Sequence, residues 1–210
     1  MLKVGIVDLG MCNLRSVQEA VRHLGGDPIV LSTPRGVAAV QALILPGVGA
    51  FGPASAGLRD SGLDAAVTGF VDSGRPLLGI CLGMQLLASA GEEGGLFKGL
   101  GLVPGTVRKF PPGVRVPHVG WNQVFPRRDE PLFQGISGGE HFYFVHSYYL
   151  DPEESGCVAA RTDYGGEFCS AVRYRNVHGV QFHPEKSGTV GLRVLRNFLD
   201  MAKTVNMTDI

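Results

Sequence analysis

An excess of charge of either sign is missing from this sequence: nineteen Lys and Arg stand against nineteen Asp and Glu in 210 residues, for a formal net charge of zero. Affinity for nucleic acid or anionic lipid rests on clustered basic residues, so the composition argues against nucleic acid and membrane as partners. Charged residues make up only 18% of the chain and hydrophobic ones 44%, the reverse of the pattern that keeps a chain disordered. The four cysteines, Cys12, Cys81, Cys157 and Cys169, form no C-x-x-C pair and are too sparse for a disulfide scaffold. A reducing cytoplasm is the setting they suggest. Met1-Leu2-Lys3-Val4-Gly5-Ile6-Val7 enters a strand-like run at once, without the charged and apolar regions of a secretory signal. Residues 36–58 carry no charge but include Pro46, Pro53 and Gln41. Their apolar centre, Ala42-Leu43-Ile44-Leu45, has the length of a buried strand and not of a membrane span. No repeat, linker or low-complexity segment divides the chain, so one domain over 1–210 is expected.

Glycine is abundant instead, 31 of 210 residues against a usual ~7%. With no fixed period, and placed at the ends of apolar runs, the glycines mark tight turns. Early in the chain short apolar runs alternate with helical patterns, which predicts βαβ units and a mostly parallel sheet covered on both faces. Strands are expected over 3–8, 28–32, 42–46 and 76–81. Leu14, Val17, Val21 and Leu24 recur at helical spacing, with Asn13 as a candidate N-cap and Gly25 as the terminating glycine. Further helices are expected over 63–72 and from just after Cys81 through Met84, Leu87 and Ala88, whereas Gly52-Pro53 opens only a short, broken helical pattern. Later, extended runs at 102–110, 121–125, 142–150, 158–161, 168–174 and 177–182 predict a smaller antiparallel extension. The last two form a hairpin across Arg175-Asn176. A closing helix near 188–203 places Val194, Leu195, Phe198, Leu199 and Ala202 on one face. The fold class is therefore α/β.

Pro76-Leu77-Leu78-Gly79-Ile80-Cys81-Leu82-Gly83-Met84-Gln85 reads as an apolar strand, a G-x-C-x-G and a helix, which is a nucleophile elbow with cysteine in place of serine. Such a nucleophile sits on a sharp strand-to-helix turn where flanking side chains would strike backbone, and Gly79 and Gly83 meet that need. The helix N-terminus adds partial positive charge beside the sulfur, and the Leu82 N–H lies where an oxyanion would form. A buried structural cysteine between two packing glycines is the plainer reading of the same residues. A partner base is offered by Val177-His178-Gly179-Val180-Gln181-Phe182-His183-Pro184-Glu185. Pro184 stops the strand and leaves His183 at its edge, with Glu185 available to fix the imidazole tautomer. The other histidines (His23, His118, His141, His146 and His178) read as surface or packing residues. The H-x-E pair has no further ligands at sensible spacing, so no metal or cofactor is expected. Residues 43–52 hold a G-x-G-x-x-G after a strand. As a dinucleotide fingerprint it lacks both the helix opening on its last glycine and the acid ending the next strand. As a loop beside the elbow, it offers the Val48 N–H as a second oxyanion donor, with Gly47 and Gly49 letting that peptide rotate.

Taken together, G-I-C-L-G-M-Q at 79–85, P-G-V-G at 46–49 and H-P-E at 183–185 resemble the class I, triad-type glutamine amidotransferases. P-G-V-G-A-F-G at 46–52, V-P-H-V-G-W-N at 116–122, Y-F-V-H-S-Y-Y at 143–149 and Q-F-H-P-E-K-S-G at 181–188 resemble, within that class, the glutaminase subunits of imidazole glycerol phosphate synthases. The resemblance implies a flavodoxin-like fold and hydrolysis of L-glutamine to glutamate and ammonia through a cysteine thioester. It also implies a heterodimer with a (β/α)8-barrel synthase (cyclase) subunit, which takes the ammonia to make imidazole glycerol phosphate and aminoimidazole carboxamide ribotide in histidine biosynthesis. By the same resemblance Cys81 is the nucleophile, His183 the acid and base, and Glu185 the residue that orients His183. Gly47, Val48, Gly49, Leu82, Gln85, Ser147 and Tyr148 hold the substrate, while Asn13, Trp121, Asn122, Tyr143 and Lys186 face the partner. Trp121 and Tyr143 read equally as core aromatics and Lys186 as a surface charge. Cys12 departs from the family, which usually has glycine in that loop. Three other readings compete. One is a different triad amidotransferase, such as an anthranilate, aminodeoxychorismate or pyridoxal phosphate synthase glutaminase, against which Val48 and residues 143–149 stand. The others are a nucleotide-binding module on Gly47, Gly49 and Gly52, and a silent docking subunit.

Overall fold

The computed structural model describes residues 1–10 and 14–207. Cys12 and Asn13 lie outside the described residues. The first apolar runs form β1 (Lys3–Val7), β2 (Asp27–Leu31), β3 (Ala42–Gly47) and β4 (Leu77–Cys81), with α1 (Leu14–His23), α2 (Phe51–Asp60) and α3 (Leu63–Asp72) between them. The short helix α4 (Leu82–Leu86) follows β4 directly, and then β5 (Ala88–Gly91), β6 (Phe97–Lys98), β7 (Val103–Lys109), β8 (His118–Pro126), β9 (Glu140–His146) and β10 (Tyr148–Pro152). The chain closes with β11 (Val158–Asp163), β12 (Glu167–Tyr174), β13 (Val177–Val180) and α5 (Gly188–Met207). One sheet has nine strands in the order β2-β1-β3-β4-β13-β12-β11-β8-β9, and a second has four in the order β10-β7-β5-β6. From β2 to β13 the large sheet is parallel. Its remaining strands continue antiparallel from the β12–β13 hairpin.

Alternation along the strands sorts their side chains into two cores. Ile6, Ile44, Leu78 and Ile80 pack with Val17 and Val21 of α1 and Leu195 and Phe198 of α5. Val7, Leu43, Leu45 and Leu77 pack with Phe51, Val67 and Met84 from the other three helices. Helices thus cover both faces, as parallel strands buried on both sides require. Full burial of each large apolar side chain contributes about 1.5–3 kcal/mol.

The strands β5 and β6 are not expected from the sequence, and three further departures have tertiary reasons. Phe51–Asp60 is a ten-residue helix, not a short broken one. Pro53 falls in its first turn, where its missing N–H costs no intrahelical bond, and Glu93 Oε2 accepts the Phe51 N–H at 2.7 Å. Helix α4 stops at Leu86 instead of running through Ala88. The carbonyls of Leu86 and Leu87 there accept N–H groups from Leu100 and Leu102, at 2.8 and 2.9 Å, so the chain leaves the helix for the small sheet. The run at 142–150 breaks at Ser147, with β9 paired to β8 in the large sheet and β10 to β7 in the small one. The uncharged segment 36–58 spans a 3-10 turn, β3 and most of α2. Among the described residues no helix is long and apolar enough to cross a membrane.

Candidate active site

Cys81 ends β4 and caps α4, with φ 55° and ψ −114°, a backbone region that costs a non-glycine residue about 1–3 kcal/mol. Close packing holds it there. A Cβ on Gly79 would stand 2.8 Å from the Gly83 carbonyl, one on Gly179 of β13 would stand 2.8 Å from Met84 Cγ, and one on Gly83 would overlap the Leu45 carbonyl oxygen. Only glycine at these positions lets the first turn of α4 sit down on β3, β4 and β13.

Strand β13 pairs in parallel with β4, Val180 opposite Ile80, so the chain leaving β13 carries His183 to the strand end where Cys81 stands. His183 Nδ1 and Glu185 Oε1 are 2.9 Å apart, with the two side chains only 4% and 3% exposed. The His183 N–H donates to the Tyr143 carbonyl at 2.9 Å. Ser187 Oγ–H donates to the His183 carbonyl at 2.6 Å and accepts the Tyr143 N–H at 3.0 Å. Nδ1 is thus committed to Glu185, and Nε2, which has no hydrogen bond of normal length among the described residues, is left for the thiol. Burial opposes a charge on this ring, but Cys81 and Glu185 outweigh it and raise the His183 pKa to about 10.

The thiol lies 3.8 Å from the Val145 carbonyl and 3.7 Å from Gln181 Nε2. Gln181 Oε1 accepts from Gln85 Nε2 at 3.0 Å, and the same Gln85 amide donates to the Tyr148 carbonyl at 2.8 Å. A cleft of about 310 Å³ opens beside Cys81, walled by Val48, Gly49, Leu82, Gln85, Glu93, Ser147 and Tyr148 among others. Gly47 is paired with Cys81 in the β3–β4 register, but with His183, Glu185 and Lys186 it lines a separate, narrow cavity of about 20 Å³. A larger cleft of about 550 Å³ between Pro126 and Gly138 holds the Arg127–Glu130 ion pair and no cysteine or histidine. A cysteine beside a buried imidazole that is itself held by a carboxylate, at the carboxyl ends of parallel strands, with a further carboxylate in the cleft wall, suits acyl transfer on a small substrate that carries a cationic group.

Glu93, Gln181 and Ser187 are additions to the residues read from the sequence. Gln181 and His183 both lie just past the end of β13, and Gln181 Nε2 stands 3.7 Å from the Cys81 sulfur. Ser187 stands in the quoted 181–188 motif, whereas Glu93 in Gly91-Glu92-Glu93-Gly94 carries no local signal beyond that of a surface turn. Of the residues expected at a partner, Trp121 and Tyr143 are cross-strand neighbours with rings 6.1 Å apart, and Lys186 Nζ lies 5.9 Å from the Tyr143 ring centre. Trp121 is 56% exposed, which removes the core-aromatic reading for it. Asn122 follows Trp121 on β8 and lies on the other face of the strand, where its amide donates to the Asp163 carbonyl at 2.9 Å and meets His118 at 3.3 Å.

Four buried histidines set how stability varies with pH. Burial lowers His118 and His178 from 6.5 to about 4, and His146 to about 3. Between those values the unfolded chain binds more protons than the folded one, so stability is full above about pH 6.5 and falls as pH drops toward 4. His183 has the opposite sign: its contribution is complete below 6.5 and is lost as pH rises through about 10. The melting temperature is expected to peak near neutral pH and decline on both sides. A melting temperature unchanged between pH 7 and about pH 5 would contradict the neutral state of these rings.

The glutamine amidotransferase class-I family matches residues 6–202 of this sequence. The chain is 51% identical over 203 residues to imidazole glycerol phosphate synthase subunit HisH of Moorella thermoacetica, covering 97% of each protein. To the HisH subunit of Methanothermobacter thermautotrophicus it is 49% identical over 200 residues, covering 95% of this chain and 99% of that one. A crystal structure of a glutamine amidotransferase superposes with a TM-score of 0.76 at 26% identity, over 95% of this chain and 98% of that one. The chain belongs to the class-I glutamine amidotransferases, and within them to the HisH subunits of imidazole glycerol phosphate synthase.

Proposed function

We propose that Cys81, His183 and Glu185 are a catalytic triad that hydrolyses L-glutamine, and that the ammonia passes to a synthase subunit bound at the Trp121 face. The observation that carries the reading is the buried His183–Glu185 pair, 2.9 Å apart, brought to the elbow cysteine by strand pairing. Cys81 passes its thiol proton to His183 Nε2 as Sγ attacks the side-chain amide carbon, and the N–H groups of Leu82 and Val48 hold the oxyanion. His183 gives its proton to the departing ammonia. It then takes one from water as the water attacks the thioester, which releases glutamate and restores the thiol. Glu185 keeps Nδ1 protonated and Nε2 directed at the sulfur. Gln85, Gly49, Ser147 and Tyr148, which wall the cleft, position the glutamine, and Gly47 supports the loop from β3. Glu93, the carboxylate in the cleft wall, faces its α-ammonium group.

The partner in this reading is a (β/α)8-barrel synthase subunit, joined in a heterodimer and making imidazole glycerol phosphate. Val119, Trp121, Val145 and Val48 are exposed apolar residues. The cross-strand pairs Val119–Val145 and Trp121–Tyr143 put three of these residues and Tyr143 on one face of the β8–β9 ribbon. Val48 and Val145 also border the cleft, so a partner seated on this patch closes the site against bulk water. Lys186 and Tyr143 add a cation–π contact at its margin.

Glutamate release from glutamine, with the chain alone and with the barrel subunit carrying a nucleotide ligand, tests the reading. Turnover that depends on the partner supports both parts, and no turnover under any condition overturns the first. Replacing Glu93 by Gln is expected to raise the glutamine KM by about 10–100-fold, the range for losing one charged hydrogen bond, with kcat little changed. An unaltered KM would remove Glu93 from the substrate site.

A further inference from the structure

We propose that His118 and His146 are positioning residues for the glutamine cleft: hydrogen-bonded in series, they fix the bend at Ser147 and the Tyr148 carbonyl on which Gln85 docks. The inference rests on the glutaminase reading and adds to it His146, which lines the cleft beside Ser147, and His118, which is hydrogen-bonded to it.

The bend needs such a support. At Ser147 the chain leaves the large sheet for the small one, and Ser147 and Tyr148 wall the cleft immediately beyond the break. The Tyr148 carbonyl receives two side-chain donors, Gln85 Nε2 at 2.8 Å and His146 Nδ1 at 2.8 Å. A carbonyl can only accept, so His146 Nδ1 carries a proton, and in a neutral ring its Nε2 is then an acceptor. That nitrogen lies 3.0 Å from His118 Nδ1, which must donate to it. His118 Nε2 is in turn an acceptor, 3.3 Å from the Asn122 amide nitrogen, which also donates to the Asp163 carbonyl at 2.9 Å. Every direction in the series is set by the carbonyl at its end. A proton added to either ring would place N–H against N–H and break it.

The surroundings favour the neutral rings that this series needs. The two histidines are direct cross-strand partners on the inner face of the β8–β9 ribbon. His118 lies between Phe144 and Tyr164, with ring centres 4.9 and 3.9 Å away, and Phe110 and Phe168 pack against both imidazoles. Burial holds both rings well below the usual histidine value. For packing alone, phenylalanine would fill this aromatic box without the cost of burying four ring nitrogens. What imidazole adds is a fixed donor and a fixed acceptor, and both are used.

The test compares His118→Phe, which keeps the ring and removes both hydrogen bonds, with His118→Asn, whose amide can reproduce the donor at the Nδ1 position. With the full chain in complex with its synthase subunit, His118→Phe is expected to raise the glutamine KM about tenfold with kcat within about threefold, and His118→Asn to recover most of that loss. A purely structural role would lower the melting temperature and leave KM unmoved. A folded His118→Phe chain with wild-type KM overturns the proposal. If that variant does not fold, Asn122→Ala carries the kinetic comparison, with a KM rise of about threefold expected and an unchanged KM overturning. Independently of any variant, nitrogen NMR of the wild-type chain at neutral pH should find both imidazoles uncharged with the proton on Nδ1, and an Nε2–H tautomer at His146 would also overturn it. A wild-type chain without glutaminase activity fails the underlying reading instead.

Discussion

Replacing Cys81 by glycine is expected to abolish glutamine hydrolysis and at the same time raise the melting temperature above that of the alanine variant. Both replacements delete the sulfur, and loss of a nucleophile from a concerted triad lowers kcat by about 10⁴-fold or more. They differ in backbone. At φ 55° and ψ −114° alanine keeps the strain of a side chain in a region that glycine enters freely, worth about 1–3 kcal/mol. The greater freedom of glycine in the unfolded chain returns about 0.5–1 kcal/mol of that. The net gain of about 1 kcal/mol corresponds to about 2–4 °C for a chain of this size. Glutamate release and scanning calorimetry on the two variants read the two effects separately. Turnover surviving in either variant would place the nucleophile elsewhere, and a glycine variant less stable than the alanine one would mean that the elbow stores no strain at Cys81.

How much of this was legible depended on whether the signal was local. The parallel half of the large sheet was readable because each strand, buried on both faces, is a short continuous apolar run, and α1 and α3 keep an apolar stripe. Helix α2 was hidden because Gly52 and Pro53 break its pattern and its first amide finds its acceptor in Glu93, 42 residues on in sequence. The end of α4 is set by the N–H donors of Leu100 and Leu102, which bond the carbonyls of Leu86 and Leu87 and which no window around Leu86 contains. The break at Ser147 falls inside one extended run, interrupted only by His146-Ser147, and the pairing of β10 with β7 in the second sheet reveals it. The elbow itself was legible from Gly79 and Gly83, since steric need at a sharp turn is written in adjacent residues. Glu93 reaches the cleft through a glycine-rich loop between β5 and β6, and the roles of His118 and His146 exist only through a cross-strand pairing. For Asn122 the signal was present and went unused: neighbours on a strand face opposite ways, so it could not share the exposed face of Trp121.

Gly83→Ala is expected to cost about 3 kcal/mol or more and to lower glutaminase activity by at least about a hundredfold, although it adds a single methyl group. Overpacking a core costs about 1–3 kcal/mol when side chains can give way. Here the added Cβ would overlap a backbone oxygen, that of Leu45 on β3, and β3 is held in the parallel ladder between β1 and β4. The helix must therefore lift. Lifting it moves Cys81 and the Leu82 N–H together, so the thiol and an oxyanion donor leave their places in one step, and loss of one such donor alone is worth about 10²–10³ in rate. Gly49→Ala is the contrasting case. Gly49 has φ +98° and nothing within 4 Å of an added Cβ, so the substitution meets backbone strain without collision and should cost only about 1 kcal/mol. Urea unfolding of both variants separates the two kinds of glycine. If Gly83→Ala proved no less stable than Gly49→Ala and kept its activity, α4 would not be seated on β3 as closely as the Leu45 contact requires, and the geometry that strains Cys81 would have to come from elsewhere.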